Sequence, residues 1–362
     1  MSDYLIKVVS LFSGGGGLDL GFTREGYDIC WAIDFNKDAV NTYRANLGDH
    51  IICGDINAIN PCDVPDCDVI IGGPPCQSFS LAGKRDVEDE RGRLVWTYLN
   101  FIREKQPKAF VFENVTGLLS ARAYNKTKVI DNLISEFNKL GYSVNAKVLN
   151  AADYGVPQKR KRVIIVGTRK ELFKFPNPTH SEKGNDGLIR YVSVSEALSD
   201  IEKVSDNAEE YNCEPKTPYQ KMMREHSTCL MDHEKSSVSK LDAYIIEHVP
   251  PGGNYMDIPD DVPSKRIQRL KKEGGRTTYY GRMDPAEPSY TINTYFNRPN
   301  VGCNIHYSED RFITPREALR LQSFPDSFKI VASSKQARNL IIGNAVPPLL
   351  AQAIAKELKK YV

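Results

Sequence analysis

The sequence predicts a doubly wound α/β fold, with a mostly parallel sheet and a second, smaller and less regular domain. Three observations over its 362 residues lead there. Short, fully apolar runs alternate with segments of helical period through the first 170 residues, the pattern of strands covered by helices on both faces. A glycine cluster directly follows the first apolar run. After about Lys170 the alternation stops, and residues 171–305 are rich in Pro, Gly, Asn and charge without a sustained period.

Each element has its own signal. Lys7–Phe12 is a β-branched run ending in glycines, and the segment after them reads as helix through Arg24 and Glu25, stopping at Gly26. Ile29–Ile33 is a second apolar run. In Lys37–Leu47, Val40, Tyr43 and Leu47 recur at helical spacing, and Gly48 ends the segment. Val69–Ile71, Ala109–Phe112 and Val163–Gly167 are short and wholly apolar, as buried parallel strands are. Between Lys128 and Leu140 the apolar residues fall on one helical face, closed by Gly141. Regular signals return at Pro315–Gln322 and in a final helix that opens at Pro347-Pro348 and runs to Lys360.

Composition sets limits. The length suggests two domains, and 41% hydrophobic with 26% charged residues is ordinary for a chain with a sizeable core. A net charge of +2 neither announces nor excludes a nucleic-acid partner, because a local basic face decides that. Eight cysteines without a CxxC pair read as reduced thiols of a cytosolic protein. His226, Cys229 and His233 could in principle hold zinc, but no fourth ligand stands at standard spacing, so no metal is expected. The N-terminus reads as a first strand and not as a signal peptide, and no apolar stretch reaches the ~20 residues of a membrane-spanning helix.

The glycine cluster Gly14–Gly17 lies between a strand and a helix, where backbone can turn tightly and approach a ligand. Asp34 ends the next strand, placed to hold ribose hydroxyls. A dinucleotide fingerprint G-x-G-x-x-G fails, since its last position falls on Asp19 or Leu20, and a phosphate-binding Gly-Lys-Ser/Thr is absent. A nucleoside without a pyrophosphate remains, S-adenosylmethionine (SAM) being the common example. A glycine-rich turn with no ligand is the plainer alternative.

The chemistry signal is Gly72-Gly-Pro-Pro-Cys76-Gln-Ser-Phe-Ser80, at the carboxyl end of a buried strand where open α/β sheets place their sites. Two prolines fix the backbone before the cysteine, which favours a reactive thiol over an inert core residue. Glu113 ends the following strand. It is either a salt-bridge or capping residue or, with a raised pKa, a hydrogen-bond donor to the same substrate. In Gln158-Lys-Arg160-Lys-Arg162 the arginines alternate with lysines, so one pair can face inward and the other phosphate; a solvated basic turn is the alternative.

Taken in order, Phe12-Ser-Gly14-Gly-Gly16-Gly17, Pro74-Pro-Cys76-Gln-Ser, Glu113-Asn-Val115, Gln158-x-Arg160-x-Arg162, Thr314-Pro-Arg-Glu317-Ala-Leu-Arg320-Leu-Gln-Ser-Phe324-Pro and Gly343-Asn344-Ala-Val-Pro347 resemble the motifs of the C5-cytosine DNA methyltransferases. The likeness runs from residue 8 to about 355. It implies a SAM-binding catalytic domain over 1–170, a target-recognition domain over 171–324, and a C-terminal segment, 325–362, that returns to the catalytic domain. By the same resemblance, Phe12, Gly14, Gly16, Asp34, Phe35, Asp55, Ile56, Pro74, Leu94, Asn344 and Val346 contact SAM. Asp34 takes the ribose and Asp55 the adenine amine, with Phe12 and Phe35 flanking the ring. Cys76 attacks cytosine carbon 6, Glu113 holds N3 and the exocyclic amine, Arg162 holds O2, and Arg160 supports the active-site loop. Two positions depart from the family pattern: Ser10 stands where an acid is common, and Asp34 where Glu is frequent.

The target base has to leave the duplex to be reached, and the polar segment Gln77–Arg93 is expected to close over it. Gln77 and Ser80 are expected at the DNA, as are Lys265, Arg266, Arg269, Tyr279, Tyr280, Arg282 and Arg298, where basic residues interleave with aromatics. A solvated helix face is the alternative for that stretch. The resemblance implies double-stranded DNA as partner and a monomer in a prokaryotic cytoplasm, at the nucleoid. A cognate restriction endonuclease would be a genetic, not a physical, partner. An RNA cytosine methyltransferase is the nearest rival, disfavoured by the long recognition region. An inactive DNA-binding protein and a dehydrogenase are more distant.

Overall fold

Val8, Val9 and Leu11 of strand β1 (Lys7–Leu11) are wholly buried, and the sheet is built outward from them. The structure, a computed structural model, describes residues 5–75, 90–122, 127–204, 210–211 and 213–362. The chain divides into two units. One holds Met1–Asn150, Lys161–Asn177 and Pro348–Val362; the other holds Ala151–Arg160 and Pro178–Pro347.

In the first unit β1 is joined by β2 (Asp28–Asp34), β3 (Ile51–Cys53), β4 (Val69–Gly72), β5 (Ala109–Val115), β6 (Ser143–Asn150) and β8 (Lys161–Thr168); β7 (Gln158–Lys159) belongs to the other unit. Their order is β3-β2-β1-β4-β5-β8-β6. The first five pair in parallel, so the expected mostly parallel α/β sheet is the one observed. Strand β8 runs antiparallel to both β5 and β6. An antiparallel return needs no crossover helix. Two strands escaped the sequence reading. β3 has three residues, and β6 buries only Leu149, so it lacks the apolar run that marks a central strand.

Helices α1 (Gly17–Arg24), α2 (Lys37–Leu47), α3 (Glu90–Lys105) and α4 (Val129–Lys139) cover the sheet. Asn36 caps α2 through its side chain, which accepts from Asp38 and Ala39. Helix α4 buries Val129, Ile130, Leu133 and Phe137, the face read from the sequence. Phe137 packs with Phe110, Phe112, Tyr98 and Tyr142 in one aromatic-rich core. The stretch Gln77–Arg93, expected as a loop, is corrected at its end, because Glu90 already opens α3. Residues 76–89 lie outside the described part.

The last helix, α11 (Pro348–Leu358), belongs to the first unit and packs on α1. The approach is close enough to require glycine: a Cβ at Gly21 would lie 2.4 Å from the Ala351 Cβ and 2.7 Å from the Pro348 carbonyl oxygen. Tyr27 closes the contact, its hydroxyl donating to the Ala355 carbonyl at 2.9 Å.

The second unit is built from short pieces: α5 (Val194–Leu198), α6 (Pro218–Arg224), α7 (Lys240–His248), α8 (Lys265–Glu273), α9 (Pro315–Arg320) and α10 (Lys335–Asn344). Buried ion pairs replace long-range periodicity. Arg320 pairs with Asp200 and Asp326, and Arg311 with Glu317, whose side chain is fully buried. Among the described residues no cluster of His, Cys, Asp and Glu could hold a metal ion; buried His233 shares a hydrogen bond with the Thr314 hydroxyl instead. Nor is any described helix long and apolar enough to cross a membrane.

Replacing Gly21 by Val forces backbone apart at the α1–α11 contact. We expect a loss of roughly 1–3 kcal/mol or more in unfolding free energy, measured by urea denaturation. An unchanged midpoint would mean that the two helices do not pack as described.

Candidate active site

The first cluster is assembled where β1 runs into α1. Phe12, Gly14 and Gly16 all have left-handed backbone, with φ of 56°, 56° and 91°. At Gly16 a Cβ would stand 2.5 Å from Leu47 and 3.0 Å from Tyr43, so close packing against α2 dictates glycine. At Gly14 a Cβ would meet nothing within 4 Å, so that part of the turn is open to an incoming group. Ser13 fixes the turn from below, its hydroxyl donating to the Ser10 hydroxyl at 3.0 Å and its N–H to the Ile33 carbonyl at 3.1 Å.

Asp34, at the end of β2, does more than the sequence reading assigned it. One carboxylate oxygen accepts from the Gly14 N–H at 2.9 Å and the other from the Asn36 N–H at 2.8 Å. The side chain thus pins the glycine turn to the start of α2, and the carboxylate keeps acceptor capacity for a further donor. Burial raises its pKa above the ordinary carboxylate value. Phe35 follows Asp34 in sequence with 73% of its surface exposed, a bare apolar ring. Asp55 is exposed and caps the turn that contains buried Ile56, accepting from the Asn57 N–H at 2.9 Å. Pro74 is buried, and Leu94 packs against the main core. Asn344 and Val346 belong to the second unit, so their assignment to the cofactor rests on their motif.

Sequence reasoning missed Asp19. It is wholly buried in the first turn of α1 and accepts from the Tyr43 hydroxyl at 3.0 Å; Tyr43 shares a second hydrogen bond with His50 at 2.9 Å. Desolvation pushes the Asp19 pKa up to about 6. The only signal was an acid on the helix face that also carries Phe22.

The second cluster lies at the carboxyl ends of β4 and β5. Glu113 sits opposite Ile164 of antiparallel β8, and Arg162 opposite Val115. Arg162 is therefore the diagonal neighbour of Glu113 on the same face, and its Nε lies 2.9 Å from Glu113 Oε1. Both side chains are largely buried. The turn after β4 touches them: a Cβ on Gly73 would be 2.8 Å from Glu113 Oε2, and Asn114 Nδ2 donates to the Pro74 carbonyl at 2.8 Å. The structure thus brings Glu113, Arg162 and the turn Gly73–Pro75 together. Cys76, Gln77 and Ser80 lie outside the described residues.

Arg160 is buried in the second unit and donates to the carbonyls of Ile292, Gly343 and Ala345 at 3.0, 2.9 and 2.7 Å. The expected alternation of the basic turn holds in part. Lys161 is exposed, but Lys159 is paired with Glu287 at 2.9 Å.

Two of the residues expected at DNA need correction. Arg282 is buried, donating to the carbonyls of Ile246, Val249, His306 and Glu309 and to Asp310. Its guanidinium is taken up by the unit's own backbone and by the Asp310 carboxylate. Tyr280 is 5% exposed and packs in the unit's apolar cluster, where Tyr279 is partly buried beside it. By contrast Lys265, Arg266 and Arg269 of α8 are exposed, with Ile267 as that helix's buried anchor. Arg298 is exposed as well, its guanidinium 4.9 Å from the centre of the Tyr295 ring.

The site thus combines a glycine turn tied to an acid at the end of the second strand with a seven-stranded sheet in which one strand is reversed. Residues 6–360 match the family model for C-5 cytosine-specific DNA methylase, and the chain belongs to that family. It is 42% identical over 97% of its length, and 86% of the relative's, to the type II methyltransferase M.NgoFVII of Neisseria gonorrhoeae. It is 34% identical over 99% of its length, and 90% of the relative's, to M1.HphI of Haemophilus parahaemolyticus. Among solved structures, a DNA modification methyltransferase encoded within a prophage in Escherichia coli matches with a TM-score of 0.75 and 25% identity, over 98% of this chain and 99% of that one. The protein is a DNA (cytosine-5-)-methyltransferase that uses SAM as methyl donor.

The buried Asp19 gives a pH signature. Its unfolded form ionises near the ordinary value of 3.8, its folded form near 6. Between those values the unfolded state releases its proton first, so the wild type loses stability as pH rises, by roughly 3 kcal/mol in all. Asp19→Asn removes that slope. Parallel unfolding curves of the two proteins from pH 4 to pH 6.5 would contradict the assignment.

Proposed function

We propose that the chain moves the methyl group of SAM to carbon 5 of a cytosine flipped out of a specific duplex DNA sequence, through a covalent bond between Cys76 and carbon 6. The observation that carries this reading is the Glu113–Arg162 ion pair, held against the turn Gly73–Pro75 that leads into Cys76.

The residues present fit SAM. The Gly14 turn has open space where a side chain would be, the Asp34 carboxylate has acceptor capacity left, and Phe35 offers an uncovered apolar ring. Phe12, Gly14, Gly16, Asp34, Phe35, Asp55, Ile56, Pro74 and Leu94 would hold it, Asp34 at the ribose and Asp55 at the adenine amine. When bound, SAM supplies an electrophilic methyl group.

The chain's own groups do the rest. Carbon 5 of cytosine is a poor nucleophile within an aromatic ring. Addition of the Cys76 thiolate to carbon 6 breaks the aromaticity and makes carbon 5 enamine-like. Glu113 holds N3 and the exocyclic amine, where charge develops, and Arg162 holds O2 while keeping Glu113 in place. Once carbon 5 carries the methyl group, its proton leaves to a base, the ring electrons return, and the sulfur is expelled. Extruding the base costs a few kcal/mol, offset by contacts to the flipped nucleotide. Arg160 acts indirectly, by ordering the backbone around it.

The first unit is the catalytic one, and the second carries target recognition. Lys265, Arg266, Arg269 and Arg298 are the residues we assign to DNA, since they are exposed on ordered elements, while Arg282 and Tyr280 are withdrawn. The enzyme acts as a monomer on cytoplasmic DNA, with a cognate endonuclease as its genetic partner.

The test is methyl transfer from labelled SAM to unmethylated genomic DNA and to total RNA, with wild type and Cys76→Ala, the DNA being read at base resolution. Label in DNA confined to one short motif, and none with Cys76→Ala, is the expected result. Label only in RNA, or full methylation by the variant, would sink the reading.

A further inference from the structure

The hydrogen-bonded ladder between β4 and β5 ends at Gly72 and Phe112, while β5 continues against β8 as far as Val115. The chain leaving β4 is Gly73-Pro74-Pro75. Its two prolines have no N–H to offer, so another group can fix them only through their carbonyls or by packing. Asn114 supplies such a group. It is 4% exposed, its Nδ2 donates to the Pro74 carbonyl at 2.8 Å, and its Oδ1 accepts from the Val115 N–H at 2.9 Å.

The preceding residue is held just as closely. Glu113 Oε1 is paired with Arg162 at 2.9 Å, and Oε2 lies where a Cβ on Gly73 would come within 2.8 Å. A freely turning carboxylate could move aside for that methyl group. This one cannot do so without disturbing its ion pair. Consecutive residues of β5 therefore grip the same turn: Glu113 rests on Gly73, and Asn114 holds Pro74.

We infer that Asn114 is a positioning residue for methyl transfer: its amide, by holding the Pro74 carbonyl, sets the distance between Glu113 and the turn that leads into Cys76. The inference rests on the reading of Cys76 as nucleophile. It assigns Asn114 no contact with substrate and makes Gly73 the second half of the same device.

The experiment uses the full-length protein, SAM and a PCR duplex carrying 5-fluorocytosine in place of cytosine. Fluorine on carbon 5 cannot leave as a proton does. After methyl transfer the sulfur is therefore not expelled, and the protein stays bonded to DNA. Asn114→Asp keeps the size of the side chain and the acceptor for Val115, but turns an oxygen toward the Pro74 carbonyl. At saturating SAM and DNA we expect it to slow adduct formation roughly 10- to 100-fold, as a misplacement of about 1 Å would, with SAM affinity unchanged. Gly73→Ala should slow the same step with Asn114 intact, and it carries the test if the first variant does not fold.

Trapping at the wild-type rate by either folded variant would overturn the inference. So would rate and SAM affinity falling together, since that marks a general structural role. No adduct with the wild type would overturn the nucleophile reading itself, and with it this inference. That outcome appears in the wild type alone and is told apart from the others.

Discussion

The antiparallel return of β8 between β5 and β6 is the constraint on which the site depends. In a parallel neighbour, side chains at the carboxyl end of β5 would face residues from the end of another strand. Here they face the beginning of β8, and the register Glu113 opposite Ile164 brings Arg162 diagonally onto the carboxylate. A slip of one residue would send the guanidinium to the other face of the sheet. The apolar run Val163–Val166, buried throughout, makes such a slip costly. The core thereby fixes a charge pair that would be expensive to bury unpaired.

Around this pair the molecule uses buried polar groups as positioning devices, in both units. Asp34 ties the glycine turn to α2, Asn114 ties the turn after β4 to β5, and Arg160 and Arg282 tie carbonyls of the second unit together. Each of these segments is loop-rich and has few donors of its own, and in each a side chain completes the hydrogen bonding that a sheet or helix would otherwise provide. The second unit carries this furthest. Its helices are short, and fully buried ion pairs such as Arg320 with Asp200 and Asp326 stand beside its apolar clusters.

Much of the first unit was legible because its signals are local. Buried strands show as apolar runs, α4 as one apolar face, and the glycines as positions where φ is positive or a neighbour is too near. The ordered motifs then pointed to Glu113 and Arg162, which the fold brings together. What stayed hidden depends on partners without a sequence signature. Strand direction is set by the connection and not by composition, so β8 gave no sign of running backwards. Arg282 sits among basic and aromatic residues that read as a nucleic-acid face, but four of its partners are backbone carbonyls, which any sequence has, and the fifth is Asp310. Asp19 drew notice only as the position where the dinucleotide fingerprint fails, and burial beside Tyr43, which displaces its pKa, has no sequence signature. The hydrogen bond from Asn114 to the turn after β4 was invisible for the same reason: a carbonyl accepts it.

In the proposed mechanism the carboxylate held by Arg162 acts on the base, beyond its part in the buried ion pair. Glu113→Gln tests it most directly, because the amide keeps the shape and loses the charge. Single-turnover methyl transfer to duplex DNA should fall by roughly two to three orders of magnitude, with SAM affinity close to that of the wild type. A rate within a few-fold of wild type would contradict the account, and so would a loss of activity matched by a loss of SAM binding.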